Sequence, residues 1–128
     1  MDLRLDLVDI VVHDMGASLG FYRRLGLDIY EGAEEEPHAE ATTPSGLHIA
    51  WDTVELMQQI DPTWTEPSGG HRISLAFSCS SPEEVDSAHD ELAASGHGYK
   101  QPWDAFWGQR YAIVKDPDGN HIDLFAPL

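Results

Sequence analysis

The residues Leu3, Leu5 and Leu7 alternate with charged ones and then close up into Val8, Ile10, Val11 and Val12. Alternation that runs into a β-branched stretch predicts a strand over residues 3–12 with at least one buried face. Asp14 is placed to cap a helix over residues 15–25, whose Leu19, Tyr22 and Leu25 recur every three positions, and Gly26 stands where a left-handed C-terminal cap belongs. Residues 27–31 are predicted as a short strand and 37–43 as another. A further strand, 47–51, follows the turn residues Pro44, Ser45 and Gly46. A connection containing Pro, Gly and Thr then covers residues 53–70.

The same order returns in the second half. Residues 72–78 read as a strand in which Arg72, Ser74 and Ala76 share one face and Ile73, Leu75 and Phe77 the other. Ser81, Pro82 and Glu84 give an N-cap, a proline at the first helical position and the acid of a capping box. Val85, Ala88 and Leu92 supply the buried stripe, and Gly96 ends the helix. Strands at 99–103, 111–114 and 122–125 complete the half, the last entered through the turn Asp116, Pro117, Asp118, Gly119, Asn120.

Pro44, Gly46, His48 and Ile49 recur as Pro117, Gly119, His121 and Ile122 at a constant separation of 73 residues (117 − 44). An internal duplication accounts for this. The expected architecture is therefore α+β, a single domain over 1–128. Its two tandem βαβββ modules, 1–52 and 71–128, are joined by 53–70, their mixed sheets curving around a shared concave cavity with helices outside.

Composition narrows the function. The chain has 23 acidic and 7 basic residues, a formal net charge of −16, so its field repels nucleic acid and anionic membrane surfaces while steering cationic small molecules inward. No apolar run approaches membrane-spanning length and the N-terminus lacks a signal-peptide pattern, which predicts a cytoplasmic protein. One cysteine, Cys79, leaves no internal disulfide and no cysteine-cluster zinc site. No nucleophile elbow or phosphate-cradling glycine loop is present.

The segments DMGASLGFYRRLGL (residues 14–27) and WGQRYAIVKDPDGNHIDLFAPL (107–128), with the duplicated element order, resemble the vicinal oxygen chelate superfamily. That superfamily contains glyoxalases, extradiol dioxygenases, fosfomycin resistance enzymes and bleomycin resistance proteins. In its metal-dependent members the ligands lie on the first and fourth strand of each module. The resemblance places these positions on Leu7 and Ala50 in the first half and on Arg72 and Asp123 in the second. Only Asp123 can ligate a metal, so the resemblance implies the metal-free, bleomycin-resistance-like branch and binding without turnover.

The expected function is thus sequestration of an aromatic or cationic natural product as an antibiotic resistance device, by a homodimer that uses no cofactor. The expected ligand-binding residues are His38, His48, Trp64, Arg72, Trp103, Phe106, Trp107, Tyr111 and Asp123. The aromatics would stack on the ligand, while Arg72 and Asp123 form one anchor of each sign, paired with each other in the empty cavity. Trp51, opposite Ala50 on its strand, is expected in the core. The alternative is a metal-dependent lyase, isomerase or dioxygenase in which Asp123 joins His48, His121 or His71 on a divalent ion. A regulatory ligand-binding module is a third reading.

Overall fold

A computed structural model describes residues 1–128. They form two units, Met1–Ser68 and Gly69–Leu128, each with its own sheet. No helix is long and apolar enough to cross a membrane.

In the first unit β1 (Leu7–Val12) runs parallel to β3 (His48–Thr53), and β2 (His38–Thr42) pairs antiparallel on the other side of β3, giving the order β1-β3-β2. β1 begins at Leu7 because β3 offers it a partner only from there, Leu7 opposite His48. Leu3 and Leu5, ahead of it, are exposed. Helix α1 (Met15–Arg24) starts where the Asp14 carboxylate accepts the Ala17 N–H at 3.0 Å. Its Leu19, Phe21 and Tyr22 are buried, and Tyr22 meets the fully buried Trp51 ring at 5.4 Å, so Trp51 is a core residue as its strand position predicts. The period of two that buries Ile49 and Trp51 sends His48, Ala50 and Asp52 to the opposite face of the sheet.

Two stretches of this unit depart from the sequence pattern. Residues 27–31 form no strand: the Arg23 guanidinium binds the carbonyl oxygens of Ile29 and Tyr30 and the Glu34 carboxylate, taking acceptors that a sheet ladder would use. A single 3₁₀ turn, Ala33–Glu35, follows. The expected connection 53–70 opens with a two-turn helix, α2 (Val54–Ile60), capped by the Thr53 hydroxyl, which accepts the Leu56 N–H at 3.2 Å. None of its residues is fully buried, so it carries no amphipathic stripe to announce it.

The second unit has the complete module order. β4 (Leu75–Ser78) is parallel to β7 (His121–Pro127), followed across the sheet by β6 (Gln109–Lys115) and β5 (Gly98–Ala105). Helix α3 (Pro82–Ala93) begins at the Ser81 hydroxyl, which accepts the Glu84 N–H at 3.1 Å, with Pro82 in the first turn. Its fully buried residues are Val85, His89 and Leu92, spaced four and three, so His89 takes the inward place assigned to Ala88, which is half-buried. Before β7 the buried Asp116 carboxylate accepts the N–H groups of Asp118 and Asn120 at 2.9 and 2.8 Å. Gly119 there, like Gly46 before β3, has the positive φ that its turn requires.

In both sheets the first strand is parallel to the last, and Val8 faces Ile49 as Leu75 faces Ile122. This register carries the duplication into three dimensions and makes Ser74, rather than Arg72, the counterpart of Leu7. The fold is α+β, built of two mixed sheets with three α-helices.

Candidate functional site

Each sheet turns one face away from its helix, and the chemistry of the two faces differs. On the first, Asp52 lies directly between Val11 of β1 and His38 of β2, while Ala50 lies between Asp9 and Glu40. The side chains of one row lean on the next. His38 Nδ1 is 2.5 Å from Asp52 Oδ1 and its Nε2 is 3.2 Å from Glu40 Oε2. Glu40 also approaches His48 Nδ1 at 3.8 Å. Asp9, Asp52 and His38 each direct a donor atom to within 4.8 Å of the others.

The electrostatics follow from burial. The Asp52 side chain is only 6% exposed, whereas His38 is 44% exposed. Burial opposes the charge on Asp52, but its hydrogen bonds with Asp9 and His38 outweigh that and hold its carboxyl below the ordinary value. Asp9 absorbs the consequence: burial, the hydrogen bond with Asp52 and the charge of Asp52 push its pKa up to about 7. The His38 imidazole is raised, chiefly by its bond to Asp52. An open groove of about 360 Å³ adjoins this cluster, lined by Asp28, Tyr30, Glu40, Thr42 and His48 among others.

The open face of the second sheet is aromatic. Trp103, Tyr111 and Phe125 are register partners across β5, β6 and β7, with ring centroids 5.4 and 6.2 Å apart in turn. Trp107 meets Tyr111 edge-on at 5.3 Å, and Phe106, in the β5–β6 turn, meets Trp107 at 5.0 Å. The Lys100 ammonium sits 4.0 Å over the Trp103 ring. Within this row the Tyr111 hydroxyl donates to Asp123 Oδ2 at 2.7 Å, and Ser74 reaches the same oxygen at 3.4 Å. Burial and the Asp123 carboxylate push the Tyr111 phenol up to about 12. It is a fixed donor throughout the physiological range.

The expected ligand-binding residues are therefore divided. Trp103, Phe106, Trp107, Tyr111 and Asp123 gather on the second sheet, and His38 and His48 on the first. Trp64 is half-buried in the segment after α2 and joins neither cluster. Arg72 stands apart from both clusters: it precedes β4 on an exposed stretch, and Asp123 takes hydrogen bonds from Tyr111 and Ser74 in place of the expected Arg72 ion pair. The His71 and His121 rings meet at a tilt of 35°, their centroids 3.5 Å apart. Burial and the neighbouring His71 and Lys115 charges lower the His121 pKa. Cys79 is half-buried and burial raises its thiol pKa, which suits an inert residue.

Asp9, Glu40 and Asp52 were not among the expected site residues. Their signal was present: Asp9 is the one polar residue within LVDIVV, and Glu40 alternates with buried alanines in HAEAT. Asp52 shares the face of His48 and Ala50 by simple alternation.

The metal of the superfamily's metal-dependent members does not fit its usual positions in this chain. With the register of β4 established, these hold Leu7, Ala50, Ser74 and Asp123. Leu7 and Ala50 offer no donor, and Ser74 and Asp123 alone are too few for an open site of three protein ligands.

The chain is similar to the crystal structure of a glyoxalase/bleomycin resistance protein/dioxygenase from Nocardioides, at 28% identity over 100% of this chain and 85% of that one, with a TM-score of 0.75. It is similar in fold to a glyoxalase/bleomycin resistance protein/dioxygenase family enzyme from Burkholderia phytofirmans PsJN. That match has 24% identity, coverage of 98% of this chain and 100% of the other, and a TM-score of 0.79. A lactoylglutathione lyase from Agrobacterium tumefaciens shares the fold at 16% identity and a TM-score of 0.69, over 96% and 92% of the two chains. No curated protein matches. The model of the Glyoxalase/Bleomycin resistance protein/Dioxygenase superfamily matches residues 4–124, a span that reaches from before β1 into β7, and the chain belongs to that superfamily.

Proposed function

We propose that this protein binds an aromatic or cationic small molecule on the open face of its second sheet and holds it unchanged, in the manner of a resistance protein that sequesters an antibiotic. The observation that carries the reading is the row Trp103, Tyr111 and Phe125 built around the Tyr111–Asp123 hydrogen bond. Its rings offer flat apolar area at small entropic cost, and Asp123 puts one anion within that area. The Lys100 ammonium over Trp103 occupies a place that a ligand's cationic group would take, an interaction of about 0.5–2 kcal/mol. A formal charge of −16 steers such a ligand toward the protein. This binding uses no metal or cofactor at that face. In this reading the protein works as a cytoplasmic homodimer.

Titration with polycyclic and cationic antibiotics, followed by tryptophan emission, tests the proposal. The reading expects saturable quenching that weakens about tenfold on Asp123→Asn, the loss of roughly one charge-assisted contact. Quenching that is absent across the panel, or indifferent to Asp123→Asn and Trp103→Leu alike, overturns it. Size-exclusion chromatography tests the homodimer separately.

A further inference from the structure

The geometry points to a second site, confined to the first unit: Asp9, His38 and Asp52 bind one divalent transition-metal ion through two carboxylate oxygens and the Nδ1 of the imidazole. This is independent of the reading above, since no residue of the second sheet takes part.

Three observations converge. The donor atoms of the three side chains lie within 4.8 Å of one another, close to the roughly 4 Å that separates donors held at about 2.0–2.2 Å on either side of one ion. They come from three hydrogen-bonded strands in the order β1-β3-β2, so the backbone positions them before an ion arrives. The outer shell is also in place: Glu40 engages His38 Nε2 at 3.2 Å while Nδ1 faces the carboxylates. Metal-bound histidines generally give their second nitrogen to such a carboxylate, which fixes the ring and raises its basicity.

Charge argues the same way. Asp9, Asp52 and Glu40 bring three carboxylates to one face, and the groups shown paired with them are the imidazoles of His38 and His48. A divalent ion satisfies the inner pair of carboxylates directly. His38 is 44% exposed, so solvent reaches the remaining coordination positions. One imidazole with two carboxylates suits manganese, iron, cobalt, nickel or zinc better than magnesium or calcium, which favour all-oxygen shells. The position is not the one the superfamily uses, which falls on Leu7 and Ala50 of this same face.

The test loads the full chain with cobalt(II), removes free ion by gel filtration, and combines elemental analysis with the visible absorption of the bound cobalt. The expected result is about one ion per chain, not displaced by excess calcium, with affinity falling on the order of 10–100-fold in Asp52→Asn and in His38→Gln. The cobalt spectrum should also change in His38→Gln, which adsorption to an acidic surface would not produce. His38 and Asp9 are both exposed and Asp9→Asn keeps the side chain's shape, so these variants fold even where Asp52→Asn does not, and Asp9→Asn should weaken the ion as well. Asp123→Asn should retain the ion. No bound ion, binding indifferent to all three substitutions, or binding lost in Asp123→Asn and kept in His38→Gln would each overturn the proposal.

Discussion

Asp9→Asn should stabilise the metal-free protein above neutral pH and do almost nothing in acid. Asp9 holds its proton until about pH 7, well above the 3.8 of an ordinary aspartate, because burial, its hydrogen bond with Asp52 and the Asp52 charge oppose its ionisation. Between those two values the folded chain keeps a proton that the unfolded chain has lost, so stability falls as pH rises through that window and levels off above it. A displacement of about three pH units at about 1.4 kcal/mol each sets a ceiling of roughly 4 kcal/mol. Neighbouring atoms strip part of the water from the Asp9 carboxyl while the residue as a whole stays exposed, and solvent screening brings the expected penalty down to about 1–2 kcal/mol. Asparagine has no charge to suppress, and its amide can donate to Asp52 as the protonated acid does. The assay is urea unfolding of both proteins with chelator present, near pH 4 and near pH 8. The variant should match the wild type at the lower pH and exceed it by about 1–2 kcal/mol at the higher. An equal effect at both pH values, or a loss of stability confined to high pH, would refute the reasoning.

Other substitutions test the packing. Trp51→Ala removes a fully buried ring from contact with Tyr22 and should cost about 3–5 kcal/mol in denaturant unfolding. His89→Leu should raise stability by about 1–2 kcal/mol, measured by thermal unfolding, because neither ring nitrogen of this buried side chain makes a hydrogen bond, the Asp90 carboxylate standing 3.8 Å from Nδ1, too far for one. Gly98→Ala should destabilise by about 1–3 kcal/mol, since the added methyl would stand 2.9 Å from the Ala93 Cβ on α3. His38→Gln removes an imidazole whose raised pKa adds stability that is full below its unfolded value and lost as pH rises through the folded one. The wild-type advantage over this variant should therefore be greatest in mild acid.

The duplicated order was legible in the sequence because it rests on local chemistry. Asp14 and Ser81 cap their helices through their own side chains, and Gly46 and Gly119 turn the chain ahead of equivalent strands. Burial of Trp51 was readable from alternation alone. Residues 27–31 were misread because the decisive contact comes from Arg23, whose guanidinium captures the Ile29 and Tyr30 carbonyls. Helix α2 was missed since it packs no fully buried residue. At the site, the aromatic row could be anticipated from residue type. The Asp9–His38–Asp52 cluster depends on strand order, because Asp9 and His38 are neighbours only through β3, and nothing in either segment specifies that order. The counterpart of Leu7 was expected at Arg72, and the parallel pairing of Leu75 with Ile122, matching that of Val8 with Ile49, moves it to Ser74.

The most direct test of the central claim is recovery of the ligand after binding. A cationic polycyclic compound that quenches tryptophan emission would be held with equimolar protein, released by denaturation and weighed by mass spectrometry, with a Trp103→Leu protein in parallel. One unchanged ligand per site is expected in the wild type, with little retained by the variant. A ligand returned with altered mass, or retained equally by both proteins, would contradict it.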